Sequence, residues 1–312
     1  MPRILYLSKN FDFPLGGVKV AYQHVRLLVE AGFDASILLI SRDTHRWFDI
    51  EAPELFVEDG FRPDPEDVVV IPECWPDTLI EWESVPVRKF VFCQNHYYMF
   101  QGLKRRRDFA AYGIERVFCC GEVIRDFLRE TLELDDVPIV HNAIDLDRFR
   151  PARKRRLIAM MPRKMRREAD YLWNMFRRRY PEHGDFRHAP IHDMTEAMTA
   201  EALGRSAIFL SLSRLEGFGL PPLEAMAAQC LVVGFHGDGG REYARPENGL
   251  WCPQDDYEAC VVALKTAADA VVAGGALYDR LIEGGRQTAA RYGMARLRQE
   301  LITFWDRELG RS

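Results

Sequence analysis

The chain has 312 residues, 47% of them hydrophobic and 29% charged, and a net charge of −5. That length is too great for one small core and suits two domains of roughly 150 residues each. The composition is ordinary for globular protein, and the slightly acidic balance excludes a global basic field for nucleic acid. Seven cysteines, Cys74, Cys93, Cys119, Cys120, Cys230, Cys252 and Cys260, form an odd, scattered set without a Cys-x-x-Cys pair. This argues for a reducing compartment and against a zinc site. The first residues run straight into a strand pattern, so no signal peptide is expected, and no apolar stretch is long enough to span a bilayer.

Strand-like and helical runs alternate along the chain. Residues 4–7 read as a strand. Residues 18–31 read as an amphipathic helix with Ala21, Val25, Leu28 and Val29 on one face and Gly32 ending it. Short apolar strands follow at 36–40, 68–71, 90–93, 117–119 and 139–140, with a helix over 121–131 between the last two. This rhythm predicts a parallel sheet covered by helices on both faces. A break comes at 142–156, with Pro151 and the run Arg153-Lys-Arg-Arg156. A second series then opens with a strand at 157–161, a helix near 168–180, a strand at 207–212, a helix at 223–229 and a strand at 231–234. Helices are expected at 257–273, 277–291 and 294–309. Two such doubly wound domains place a ligand outside the carboxyl ends of their strands, in the cleft between them.

The most informative run is Glu216-Gly-Phe-Gly-Leu-Pro-Pro-Leu-Glu224. It lies between a β-prone and a helix-prone segment, so one acid is expected in a loop and the other in the first helical turn. Such a loop presents backbone N–H groups and two acceptors to a ligand rich in hydroxyls and phosphate. Either glutamate alone is equally a solvated acid or a partner for a helix dipole. Four other segments could carry chemistry. Gly16 and Gly17, in Pro14-Leu-Gly-Gly-Val18, precede the first long helix, where a backbone can approach an anion or simply turn. His96 follows a strand end; a lone histidine is more often a packed or surface residue, and this place raises the functional reading beside that one. Met161-Pro-Arg-Lys-Met-Arg-Arg167 could neutralise a diphosphate or form a solvated basic face. Gly237-Asp-Gly-Gly-Arg-Glu-Tyr243 follows the strand at 231–234. The Asp145-Leu-Asp147 pair sits in the linker with no further ligand cluster, so no metal is expected.

Together these motifs resemble the retaining nucleotide-sugar glycosyltransferases of GT-B architecture, the family 4 type. The resemblance runs from about residue 4 to about residue 309 and is most specific over 209–224. It implies an α/β fold of two Rossmann-like domains facing across a cleft: residues 1–150 on the acceptor side, 151–293 binding the nucleotide sugar, and a 294–312 helix packing back on the first domain. It implies metal-independent transfer of a sugar from a nucleotide diphosphate donor, UDP- or GDP-type, to an acceptor hydroxyl, with no other cofactor. Gly16 and Gly17 would face the donor diphosphate, and His96 the donor sugar. Arg163 would meet the leaving group together with Lys164, with Arg166 or Arg167 as alternatives, because Glu168 stands where the pattern has a lysine. Phe218, Gly219 and Leu220 would form the donor loop, Glu216 would hold a sugar hydroxyl and Glu224 the ribose. Ala143 replaces the usual glycine of the linker motif, and Glu242 falls one residue short of its place in the Gly-Gly-x-x-Glu loop. The expected partners are an acceptor glycan or lipid-linked glycan and, through the basic runs 104–107 and 148–179, an anionic membrane at its cytoplasmic face; nucleic acid is not expected. A sugar phosphorylase or epimerase on the same fold, or a non-catalytic subunit binding a partner enzyme or membrane, are the alternatives.

Overall fold

The computed structural model describes residues 2–9, 15–42, 47–75, 77–103 and 108–311. Pro14 and the basic run 104–107 lie outside the described residues. The strands are β1 Ile4–Ser8, β2 Ala35–Leu39, β3 Glu54–Phe56, β4 Val68–Pro72, β5 Arg88–Cys93, β6 Arg116–Cys119, β7 Arg155–Met160, β8 Arg187–Pro190, β9 Ser206–Glu216, β10 Leu231–Asp238 and β11 Leu250–Trp251. The helices are α1 Gly16–Glu30, α2 Thr78–Glu83, α3 Met99–Gly102, α4 Glu122–Leu132 and α5 Arg166–Arg179. They continue with α6 Glu196–Arg205, α7 Leu220–Ala227, α8 Tyr257–Ala273, α9 Ala276–Ala290 and α10 Met294–Leu309. The chain divides into two compact units, Met1–Asn142 with Ala295–Ser312, and Ala143–Met294.

The first unit holds a parallel sheet in the order β3-β2-β1-β4-β5-β6. Every residue of β1 and β2 is buried, which is why these strands read as mostly apolar runs rather than alternating ones. The strand order reverses between β1 and β4, so the crevice at their carboxyl ends is where such a sheet takes a ligand. α10 completes this unit's core. Trp305 is fully buried, lies flat on Phe90 at 5.5 Å and meets Tyr6 edge-on, while Phe304 packs on Phe118 at 4.6 Å. Arg296 and Glu300 of the same helix hold His141: Glu300 accepts the His141 backbone N–H at 2.8 Å and its ring Nδ1 at 2.9 Å. Burial pushes the Glu300 carboxyl up, but the bonds from His141 and Arg296 outweigh it and hold it at about 2.

Tyr6 and His24 form a buried polar pair, hydroxyl to Nδ1 at 3.0 Å. Burial lowers the His24 imidazole from 6.5 to about 3. The folded chain therefore keeps His24 neutral, while the unfolded chain protonates it below 6.5. Stability from this group is complete above 6.5 and is lost, at about 1.4 kcal/mol per pH unit, as pH falls toward 3. A His24→Leu variant, less stable at neutral pH, should close its gap to the native chain at that rate on acidification. Urea unfolding of both proteins across this range checks it, and a pH-independent gap would contradict it.

The second unit holds a parallel sheet in the order β11-β10-β9-β7-β8. Its core joins Ile158, Met160, Leu172, Phe176, Leu210 and Phe235 to apolar residues of α8 and α9. Among the described residues no single helix is long and apolar enough to cross a bilayer; α8 and α9 pass that test only together, as a pair bent by 105°. Cys260, Val261 and Leu264 of α8 lie inside this core.

Several elements differ from the sequence expectation. Residues 139–140 form only an isolated bridge, Ile139 to Cys119, because Pro138 precedes them and no ladder continues. β3 and β8 are edge strands too short or too polar to read as strands, and β8 ends on Pro190. α6 starts at the Thr195 cap, whose Oγ1 accepts the Met198 N–H at 3.3 Å. β9 runs four residues beyond the expected strand end: Ser213 still pairs with His236, and Glu216 with Asp238 beyond a bulge.

Candidate active site

The longer β9 changes where the two glutamates sit. Glu216 is the last residue of the strand, not a loop residue, and the turn to α7 is only Gly217, Phe218 and Gly219. α7 begins at Leu220 with Pro221 and Pro222 behind it, so Glu224 lies beyond the first helical turn and is 6% exposed. Proline fits the opening of a helix because the N–H it lacks would have no partner there. The donors left at this helix start are the N–H groups of Gly219 and Leu220, because Pro221 and Pro222 have none.

The turn is held from behind. Gly219 takes φ +85°, a conformation a side chain would strain, and its carbonyl accepts the Tyr243 hydroxyl at 2.5 Å. Phe218 is buried edge-on between Tyr243 and Tyr292, with ring centroids 6.0 and 5.5 Å away, so it anchors the turn. The Gly237–Tyr243 segment presses on the same place. A Cβ on Gly239 would lie 2.2 Å from the Gly217 carbonyl oxygen, so only glycine lets the two backbones meet. Glu242 accepts a long hydrogen bond from Tyr292, 3.4 Å. Nothing in the sequence pattern singles out Tyr243, although an aromatic ending a glycine-rich loop is the one available signal.

The basic loop after β7 reaches this turn. Lys164 Nζ donates to Glu216 Oε1 at 2.6 Å, with both side chains 28% exposed. A pair this open to water is worth about 1 kcal/mol or less, so its weight lies in orienting the two groups. Arg163 is exposed in the same loop, while Arg166 and Arg167 are exposed in the first turn of α5. Lys164 thus brings one of the cations considered for the leaving group onto Glu216. Farther back, Lys154 turns inward and donates to the carbonyls of Leu203, Ser206 and Ala228 at 3.2, 2.8 and 2.5 Å. One member of the Arg153–Arg156 run is thus a structural strut, not surface charge.

In the first unit, Gly16 and Gly17 open α1, and Gln94 Nε2 donates to the Gly17 carbonyl at 3.2 Å. His96 begins a 3-10 turn after β5, 4% exposed, with its ring on Tyr97 and Phe127 at 4.3 and 4.7 Å. Glu73, which directly follows β4 just as the His96 turn follows β5, is a buried acid that accepts the N–H of Asn95, the cap of the His96 turn. Its position after a strand end is legible in the sequence, but no motif contains it.

The Asp145-Leu-Asp147 pair makes a turn. Asp145 Oδ1 accepts the N–H groups of Asp147 and Arg148, both at 3.0 Å, and Asp147 pairs with Arg150. Among the described residues no group of three or more His, Cys, Asp or Glu is placed to hold a metal ion.

Residues 192–288 match the family model described as glycosyl transferases group 1. An alpha-1,6-glucosyltransferase of Actinobacillus pleuropneumoniae serotype 7 (strain AP76) is 26% identical over 296 residues, covering 92% of this chain and 89% of the relative. Sucrose-phosphate synthase from Thermosynechococcus elongatus superposes with a TM-score of 0.74 at 14% identity over the full length of both chains. Anabaena HepE, solved with UDP and glucose, superposes with a TM-score of 0.71 at 10% identity, covering 98% of this chain and 100% of that one. With two parallel α/β sheets and a sequence relative along nearly its whole length, the chain is a glycosyltransferase of GT-B fold whose second unit carries the group 1 glycosyl transferase domain.

Proposed function

We propose that the protein transfers a glucosyl or related sugar, with retention and without a metal, from a nucleotide diphosphate donor to a hydroxyl of a glycan or lipid-linked glycan. The observation that carries this reading is the Lys164–Glu216 pair beside the Gly217–Gly219 turn and the start of α7. It gathers a cation, a carboxylate and free amide N–H groups in one place, which is what a sugar diphosphate needs. The donor assignment is supported by the alpha-1,6-glucosyltransferase relative and by HepE, solved with UDP-glucose.

In the proposed reaction the bond from the anomeric carbon to the diphosphate oxygen breaks while the acceptor oxygen bonds that carbon on the same face. The acceptor proton passes to the departing phosphate. Arg163 and Lys164, with the amides of Gly219 and Leu220, take the negative charge that develops on the leaving group. Glu216 accepts from a sugar hydroxyl and Glu224 from the ribose diol, each with two carboxylate oxygens. Gly16, Gly17 and His96 are assigned to the donor diphosphate and sugar from the first unit. Peripheral contact with an anionic membrane on the cytoplasmic side rests on the exposed Arg166, Arg167, Arg177 and Arg178 of α5.

A thermal-shift panel of UDP, GDP and ADP with the corresponding glucose and mannose donors tests the reading. UDP and UDP-glucose should raise the melting temperature by several degrees; a ligand at about 100 times its Kd adds about 2.7 kcal/mol. No shift with any nucleotide, on folded protein, would overturn the donor site.

A further inference from the structure

Glu73 follows β4 and is 2% exposed. Its Oε1 accepts the Asn95 N–H at 2.7 Å, and the N–H dipoles of Gln94 and of Glu73 itself also favour the ionised carboxyl. Gln94 and Asn95 are the two residues between the end of β5 and His96. Each carries a second contact. Asn95 Oδ1 accepts the Tyr97 N–H at 3.1 Å and so caps the turn that His96 opens. Gln94 donates to the Gly17 carbonyl, and its own carbonyl accepts the Cys120 thiol at 3.6 Å. α3 closes the other side: a Cβ on Gly102 would lie 2.3 Å from the Glu73 carbonyl oxygen. One buried carboxylate therefore ties the His96 turn to the end of β4 and, through Gln94, to the start of α1.

We propose that Glu73 is a positioning residue for sugar transfer: its ionised carboxylate holds the Gln94–Asn95 backbone and thereby sets His96 and Gly17 in their working places. This rests on the reading of His96 and Gly17 as groups that face the donor. An ionised carboxylate only accepts, which suits converging N–H donors; protonation would set an O–H donor among them. Burial pushes the Glu73 carboxyl up to about 7, while the amide bonds of Glu73, Asn95 and Gln94 draw it down. Among the described residues the titratable groups facing it are the Cys74 and Cys93 thiols, both pushed up by burial and so neutral. Lys9, over the Trp75 ring, acts on Cys74. Function that needs the ionised form is lost as pH falls through about 7.

The test compares the full chain with Glu73→Gln in two measurements. The first is UDP release from UDP-glucose across pH about 5.5 to 9. In the native chain the rate should fall about tenfold per pH unit on the acid side of Glu73. In Glu73→Gln the rate at alkaline pH should be about tenfold lower and this acid limb absent, with KM for UDP-glucose changed less than about twofold. A variant that keeps both the native rate and the limb overturns the proposal. The second is amide exchange over residues 90–98, corrected for intrinsic rates. It should speed up in the native chain as pH falls through Glu73 and be fast at every pH in the variant; identical, pH-independent protection in both overturns the proposal. If the native chain does not turn over UDP-glucose, the proposed donor is wrong, and amide exchange alone decides the role of Glu73.

Discussion

Lys164→Ala should lower the rate of sugar transfer by about 100- to 1,000-fold, the effect of removing one donor aimed at developing negative charge. The change should fall on kcat, with donor affinity moving by less than about tenfold, because Glu224 and the α7 amides still hold the nucleotide. Two consequences separate this from simple loss of an ion pair. The pair itself is worth about 1 kcal/mol or less, so the melting temperature should hardly move. In a double-mutant cycle with Glu216→Gln, the two effects should add to less than their sum, since each residue orients the other. Arg163→Ala should act in the same direction. Steady-state kinetics with UDP-glucose measure this; unchanged kcat in folded Lys164→Ala protein would remove Lys164 from the reaction.

Glu224→Ala should act on binding instead. Loss of a charged acceptor for the ribose diol costs about 1.5–3 kcal/mol, which is about 10- to 100-fold in donor Kd. Calorimetry with UDP is the direct readout, because UDP carries the ribose but no sugar. Glu224→Gln should recover part of the loss, since one oxygen still accepts. UDP binding as tight as that of the native chain in the alanine variant would show that this buried glutamate serves the packing of α7 and not the ligand.

The elements that sequence reading captured are those whose side chains state their environment. β1, β2 and the start of β9 are buried on both faces and mostly apolar, and α8 and α10 carry apolar stripes that fall silent where the helices end. Edge strands have no such imprint: β8 is Arg187–Pro190 and owes its conformation to the β7 ladder. The same distinction runs through the candidate site. The Glu216 to Glu224 run was legible because glycine and proline spacing fixes a turn chemically. The exact strand end was not, because Ser213 to Glu216 are paired only by the backbone of β10. The Tyr243 bond to Gly219 and the Glu73 bond to Asn95 link residues 24 and 22 positions apart, and tertiary pairing of that kind leaves no periodic trace in sequence.

The first unit is written in two pieces, with all of Ala143–Met294 between them. During synthesis its sheet is finished early, yet Phe90, Phe118 and Tyr6 wait for Phe304 and Trp305, which follow the whole second unit in the chain. The second unit has its whole core in hand before then. The ribosome therefore delivers the second unit complete while the first still shows an open aromatic face. A stop codon placed just before α10 would leave that face permanently uncovered, and chaperone dependence should appear in the first unit's sheet although the lesion lies beyond the second unit.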